Sequence, residues 1–529
     1  MQSQIGSRYN QHSFAQIPAV NTPRSAFDRS FEVKDTYDFD YIYPFYCDEV
    51  IPGDTFNVDV NVFARLATQK VPIMDRLYAS YEFFFVPSRL VWTNFKKMMG
   101  EQDNPGDSTD YTVPKLAATT AGGFTVGSIY DKFGLPTGIA SLTINNALPF
   151  RCYNLIYNTW YRDQNLIGDI TVPLTDGPDA LSTYSLQKRA KAHDYFTSCL
   201  PWPQKGDAVT LPLGLDAPVV STGATPRISN ASNTNVALQT VSGVNDLNAT
   251  ASMGATQPFF WGNVTGLEVD LTDATAATIN QLREAMLMQS LFELDARGGT
   301  RFTEVILAHF NTVLPDFTVQ RPEYLGGGHF DINSHPVAQN SATGATGTPQ
   351  ANLASFATHM VNGRALGFNK SFAEWGYVIG LVTFRAALTY QQGINRMWNR
   401  ETRYDFYWPK LAGLGEQAVL NKEIYAQGTS ADADVFGYQE RYSEYKYKPS
   451  EIRGVFRSQH ATSLDVWHMA EEFGSLPALN QTFIESNTPI ERSIVVTGDE
   501  PQIIFDAFIK QTCVRPMPVY NVPATFGRF

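Results

Sequence analysis

The run Arg396-Met397-Trp398-Asn399-Arg400-Glu401-Thr402-Arg403-Tyr404-Asp405-Phe406-Tyr407-Trp408 puts three guanidiniums and five aromatic rings into thirteen residues. Two kinds of chemistry use that mixture. Single-stranded nucleic acid is held by cations on its phosphates and by rings that stack on its bases. Contacts between protein subunits concentrate their energy in the same residue types. Arg396, Trp398, Arg400, Arg403 and Trp408 are therefore candidates for a subunit interface or a nucleic-acid-facing inner surface. The residue types favour the interface.

Other constellations offer less. His329 and His335 follow Gly326-Gly327-Gly328 in what reads as a loop, with Asp331 the one nearby carboxylate, a spacing that matches no metal-site pattern. Asp432, Asp434 and Glu440 lack the twelve-residue calcium-loop pattern and read as a solvated turn. The triple glycine has no Lys or helix-opening Ser/Thr at the offset a phosphate cradle needs. No G-x-S-x-G is present, and nothing nominates one pair for sugar hydrolysis among 52 acids. We expect no enzyme and no cofactor.

Bulk composition agrees with an interface-rich protein. Of 529 residues, 13% are aromatic and only 17% charged, against about 25% in an ordinary soluble domain. Much of the surface is thus expected to be covered by neighbours. The net charge of −12 argues against neutralising nucleic acid over the whole surface. The ends differ from the body. Residues 1–34 carry Arg8, Arg24, Arg29 and Lys34 for a net +2, and 510–529 carry Lys510, Arg515 and Arg528 for a net +3. Basic termini can reach a polyanion. Cys47, Cys152, Cys199 and Cys513 are far apart and fit a reducing cytoplasm. The polar opening MQSQIGSRYNQHSFAQ predicts no signal peptide, and the apolar 377–390 stretch is too short to span a bilayer.

Elements must position these residues. Phe56, Val58, Val60, Val62, Ala64 and Leu66 alternate with mostly polar neighbours, which predicts a strand over 55–66 opened by the Pro52-Gly53-Asp54 turn. LYASYEFFFV, 77–86, is apolar on both faces beyond Glu82 and predicts a central strand ended by Pro87. From Pro87 to about Lys370 the pattern predicts loops and helices: one carrying Phe150, Tyr153, Tyr157, Trp160 and Tyr161, one from Asp273 to Arg297 with Ile279, Leu282 and Met286 on one stripe, and one from Phe302 through Val313, closed by Pro315. Within that region 206–263 is rich in Ser, Thr, Ala, Asn and Gly, and reads as a protrusion inserted into the main fold. Gln339 to Gln350 reads as a mobile loop. Strands return at 377–390, 481–485 and 493–497, and 503–513 alternates again. Strands at both ends with long insertions between them suggest a single antiparallel barrel or sandwich over 1–529.

Long strings carry a further signal. RSAFDRS, PFYCDEVIPGDTFNVDVNVFARLATQKVPIMDRLY, YEFFFVPSRLVWTNFKKMMGEQ, FTSCLPWPQKGDAVTLPLG, VQRPEYLGGG and GYVIGLVTFRAALTYQQGINRMWNRETRYDFYWPKLAGLGEQAVLNKEIYAQGT occur in order along nearly the whole chain. In these the chain resembles the major capsid protein of the gokushovirus branch of the microviruses. That resemblance implies a mainly β fold, an eight-stranded antiparallel viral jelly roll with long, partly helical loop insertions. It implies a T=1 icosahedral shell of identical subunits around a circular single-stranded DNA genome. The 206–263 segment falls where that branch carries a variable host-attachment protrusion at the threefold axes. Partners implied are further copies of the chain, an internal scaffolding protein, a DNA pilot protein, a small basic DNA-binding protein and a host cell-surface receptor. No membrane role follows. A jelly-roll protein that binds or hydrolyses carbohydrate is the competing expectation, separable by imaging particles.

Overall fold

The computed structural model describes residues 23–209, 219–221, 227–229, 236–240, 247–249, 260–261, 267–269, 279–339, 353–496 and 500–520. The chain divides into two compact units, one formed by 1–203 with 299–529 and the other by 204–298.

The first unit is built on one antiparallel sheet of ten strands: β1 (Ser25–Asp28), β2 (Phe31–Tyr37), β3 (Tyr43–Val50), β4 (Thr55–Leu66), β5 (Leu77–Pro87), β6 (Glu323–Ala338), β7 (Leu353–Val361), β8 (Gly367–Ser371), β9 (Gly376–Ala386) and β10 (Ile503–Arg515). Eight follow one another in the order β1-β10-β4-β7-β6-β5-β9-β3, while β8 lies beside β4 and β2 beside β10. The sheet curls because β6 serves both halves. Its residues 323–332 pair with β5, and 333–338 pair with β7. The halves face each other across an aromatic core. Phe45 meets Phe505 at 6.1 Å, Phe384 meets Phe505 at 6.4 Å, and Phe83 meets Phe368 at 5.2 Å. This is the jelly roll expected from the sequence.

Period-two patterning puts the apolar face of each strand inside. Every even residue of β4 from Phe56 to Leu66 is buried, as are the odd residues of β10 from Ile503 to Cys513. In β5 and β9 both faces are covered. Tyr81, Phe83, Phe85, Val378, Val382 and Phe384 belong to the core, and Phe84, Val86, Tyr377, Ile379 and Leu381 pack under a second apolar layer. That layer centres on Trp92 and helix α1 (Leu148–Ile156), which offers Phe150, Tyr153 and Ile156. The Arg151 fork is fully buried there on Asp179, with Nε and Nη2 donating at 2.8 and 2.7 Å, and Tyr184 Oη donates to the same carboxylate at 2.5 Å. Removing one partner of such a pair strands a buried charge, which costs about 3–5 kcal/mol.

Several expectations are corrected. The region from Pro87 to Lys370 supplies three strands of the ten-stranded sheet, β6 to β8, and His329 and His335 lie in β6, not in a loop. The glycines hid it: the β6–β5 register shifts between Tyr324 and Gly326, and a Cβ at Gly327 would strike the Tyr81 carbonyl. The triple glycine is thus a device for a bulge and a close strand approach. The segment 481–485 is no strand; Gln481–Ile484 is a helical turn whose Asn480 side chain accepts from Phe483 N. Ser493 and Ile494 follow the 3₁₀ turn Ile490–Arg492, with one bridge from Ile494 to Gln69, and 497 lies outside the described residues. The helix α2 covers Ile279–Arg297; Asp273 lies outside the described residues, and Ile279, Leu282 and Met286 are exposed. Helix α3 (Phe302–Phe310) stops at Asn311, whose φ of 51° is left-handed, well before Pro315. The strand expected over 377–390 ends at Ala386.

In the second unit Phe260–Trp261, Arg227–Ser229, Val236–Thr240 and Leu247–Ala249 form a small sheet, and Val219–Ser221 pairs with Leu267–Val269. Most of 206–263 and nearly all of 339–350 lie outside the described residues.

His359 of β7 is buried between the two halves. Its ring stacks on Tyr81, its Nε2 lies 2.8 Å from Tyr81 Oη, and its Nδ1 lies 3.1 Å from the Asp331 carbonyl. The carbonyl can only accept, so Nδ1 carries the proton and Tyr81 donates to Nε2. Burial pulls the imidazole pKa down, against a smaller upward pull from Asp331. The unfolded histidine therefore binds a proton before the folded one, and its contribution to stability is lost as pH falls below about 6.5. Denaturant unfolding at about pH 7.5 and pH 5 will show a loss on the order of 1 kcal/mol that His359→Gln removes.

Candidate functional site

After β9 the chain leaves the sheet through three 3₁₀ turns, Arg396–Asn399, Arg403–Asp405 and Pro409–Leu411, and then forms the hairpin Glu416–Leu420 with Val435–Glu440. The helical turn Asn421–Ile424 in that hairpin's connection points Glu423 inward. Arg396 Nη1 donates to Glu423 Oε1 and to the Ala418 carbonyl, both at 2.8 Å. Leu420 N and Tyr195 Oη add donors to the same carboxylate at 3.0 Å. Burial raises the Glu423 pKa, and Arg396 offsets part of that. Arg400 lies 3.7 Å from Glu444 and sits 4.2 Å over the Tyr445 ring and 5.5 Å from Phe406. These two guanidiniums are spent inside the subunit.

The other three candidates face outward. Arg403 lies between the Tyr404 and Trp408 rings at 5.3 and 5.4 Å and has no carboxylate within ion-pair distance among the described residues. Trp408 Nε1 donates to the Arg403 carbonyl at 2.8 Å, which fixes the ring's position. Trp398 is 75% exposed and Trp408 44%, with Tyr404, Phe406 and Tyr407 exposed between them. A cavity of about 420 Å³ opens beside this surface, lined by Tyr195, Phe196, Tyr390, Arg396, Trp398 and Tyr447. Arg403 is thus an exposed guanidinium flanked by two rings, whereas Arg396 and Arg400 are neutralised inside the subunit. Exposed rings of this kind can stack, and they can accept a guanidinium or a planar group from a neighbour.

Three arginines of the basic termini have partners within the chain. Arg24 donates to the Gly53 carbonyl at 2.6 Å, Arg29 to Asp48 at 2.6 Å, and Arg515 to the Glu49 carbonyl at 2.7 Å with Asp54 3.3 Å away. Ser25 pairs with Arg515, so the structure brings the two ends of the chain side by side and uses these arginines as staples at that edge. Arg8 and Arg528 lie outside the described residues.

Sequence reasoning missed Glu423 and Glu444. Their signal was present in the acids scattered through 416–451, but which cation each would meet depends on the hairpin. His329 Nδ1 contacts Ser80 Oγ at 2.8 Å and His335 Nε2 contacts Thr358 Oγ1 at 3.2 Å. Asp432 accepts from the backbone of Gln427 and Gly428. No group of three or more His, Cys, Asp or Glu able to hold a metal, no disulfide, and no helix long and apolar enough to cross a membrane occur among the described residues.

The curled, mainly β sheet fits the jelly roll of a viral shell subunit, the class that the sequence resembles. The chain belongs to the family described as capsid protein (F protein), whose model matches residues 15–525. It is 56% identical to capsid protein VP1 of Bdellovibrio phage phiMH2K, over 99% of this chain and 100% of that protein. It is 40% identical to capsid protein VP1 of Chlamydia phage 1 and 34% identical to that of Spiroplasma virus 4, each over 97% of both chains. The resemblance to the gokushovirus-like microvirus capsid proteins is thereby established. The protein is a structural component of the virion and not an enzyme.

The two halves of the candidate run will separate on mutation. Arg400→Ala removes a charge pair and two ring contacts and will lower unfolding stability by about 1–3 kcal/mol. Arg403→Ala, which breaks only exposed contacts, will change it by less than about 0.5 kcal/mol. Thermal melts of the two variants check both.

Proposed function

We propose that this protein is the repeating subunit of a T=1 icosahedral bacteriophage shell that encloses a circular single-stranded DNA genome. Assembly proceeds in the host bacterial cytoplasm with an internal scaffolding protein, a DNA pilot protein and a small basic DNA-binding protein. The observation that carries the reading is the exposure of Trp398, Arg403 and Trp408 in the single chain of a capsid-family protein. Burial of such rings between identical subunits supplies modest contact energy that symmetry multiplies over the shell. Two arginines of the run are already paired with Glu423 and Glu444, which favours a protein-facing role for these exposed residues over a polyanion-facing one. The acidic balance of the chain leaves charge neutralisation of the genome to a separate basic partner.

The 206–263 segment serves host attachment in this reading. Its composition, low in charge and rich in small polar residues, supports a surface protrusion whose sequence can vary without cost to the shell.

Two outcomes test these assignments. Trp398→Ala combined with Arg403→Glu will leave the melting temperature of the subunit unchanged and reduce particle yield at least tenfold, read by electron microscopy of expressed material; an undiminished yield overturns the interface role. Deletion of 221–256 will leave particle formation intact and abolish adsorption to host cells. Absence of particles in that deletion would make the segment structural.

A further inference from the structure

On the face of β5, β6 and β9 that looks away from the core, an apolar half gives way to a polar one. Cross-strand register aligns Asp331, Tyr78 and Arg385 in one row and His329, Ser80 and Thr383 in the next. Arg189 joins them from the loop that follows α1, gripping Glu82 with both Nη atoms at 2.8 and 3.1 Å. Tyr161 Oη donates to Glu82 as well. Arg76 donates to Asp331 at 2.7 Å. The cluster thus holds three guanidiniums and two carboxylates, and both carboxylates are taken.

Arg385 is the remainder. It is 8% exposed, donates from Nη1 to the Ala190 carbonyl at 3.1 Å, has a buried Nε without a partner, and has no carboxylate within ion-pair distance among the described residues. Burial first, and then Arg189, pull its pKa down to about 10. Tyr78, Glu82 and Asp40 oppose this only in part; a buried guanidinium with no carboxylate in contact is costly, and an anion that enters beside it lowers the cost. Arg76 and Arg385 each lie 5.3 Å from the Tyr78 ring centre, and His329 meets that ring edge-on at 6.2 Å. Arg76, Asp331 and His329 are exposed, so the cluster has an open side.

We propose that Arg385, Arg76 and His329 around Tyr78 form a binding site for a phosphate group. A carboxylate is planar and is satisfied by one guanidinium fork. Here the donors come from two strands and the turn before β5 and gather around one ring, which suits the tetrahedral oxygens of phosphate. The group can be a free phosphate ion or a phosphodiester of nucleic acid. The second source rests on the genome-enclosing role proposed above.

The test melts the full-length chain in chloride and in inorganic phosphate at equal ionic strength. Phosphate is expected to raise the melting temperature in a saturable way. Arg385→Met is expected to raise the melting temperature in chloride, because it removes an uncompensated buried charge, and to abolish the phosphate response. Arg76→Gln, at an exposed position, keeps the chloride value and weakens phosphate binding about tenfold. If Arg385→Met fails to fold, Arg76→Gln decides alone. Repeating the melts with a short oligothymidylate separates the sources: a shift that Arg76→Gln weakens assigns the phosphodiester, and a response to inorganic phosphate alone assigns the free ion. The site is overturned if phosphate leaves the wild type unchanged, if the folded variants respond as the wild type does, or if assembled particles show a neighbouring subunit's carboxylate on Arg385. Particle formation by the variants, read by microscopy, reports the shell role independently.

Discussion

Pairing between β4 and β10 closes the first unit. Twelve consecutive residue pairs, from Thr55 with Val514 to Leu66 with Ile503, join segments more than four hundred residues apart in the chain. Each strand sends its apolar residues to the same side, so this ladder builds one wall of the core. The cost of closing so long a connection grows only with the logarithm of its length, about 0.6 kcal/mol for each doubling. Insertions can therefore accumulate between the ends without unseating the ladder. β1 and β2 then dock on β10, and the arginines at 24, 29 and 515 pin that edge to β3 and to the turn before β4. The features that make this a shell protein hang from that closure.

Electrostatics inside the unit follow one rule: a buried cation brings its own acid. Arg151 with Asp179, Lys191 with Glu471, Arg189 with Glu82 and Arg396 with Glu423 are each held at 2.7–2.8 Å in largely desolvated sites. Such pairs add little net stability over apolar packing, but they penalise any arrangement that separates them. They fix how the loops after β5 and β9 lie on the sheet. Arg385 departs from the rule, which is why an anion site is proposed there. Arg403 departs from it too, but at the surface, where water solvates the charge.

These internal pairs also bear on how a chain with few charges keeps the aromatic residues of 398–408 exposed. The backbone from 391 to 411 is tied down by Arg396 on one side and by Trp408 Nε1 on the other. The rings between them are held outward before any partner arrives. A surface fixed in advance loses less conformational entropy on association. The interface role proposed for that surface would use the jelly roll as its base.

Much of the frame was legible in the residues alone. Alternation over 55–66 and 503–513 and the mostly apolar runs 77–86 and 377–390 pointed to four strands of the sheet, because a strand's face pattern is written locally, although the last of them ends at Ala386. The family was legible in the same way, from long strings kept in order. β6 was not, since glycines and exposed polar residues erase the alternation, and its strand state is imposed by β5 and β7 on either side. Nor could the sequence divide its own best constellation. Arg396, Arg400 and Arg403 are one residue type within eight positions, yet Glu423 and Glu444 neutralise the first two and leave the third at the surface. A side chain's periodicity depends on its neighbours along the chain, but its counter-charge depends on which distant segment folds against it, and only the tertiary structure decides that.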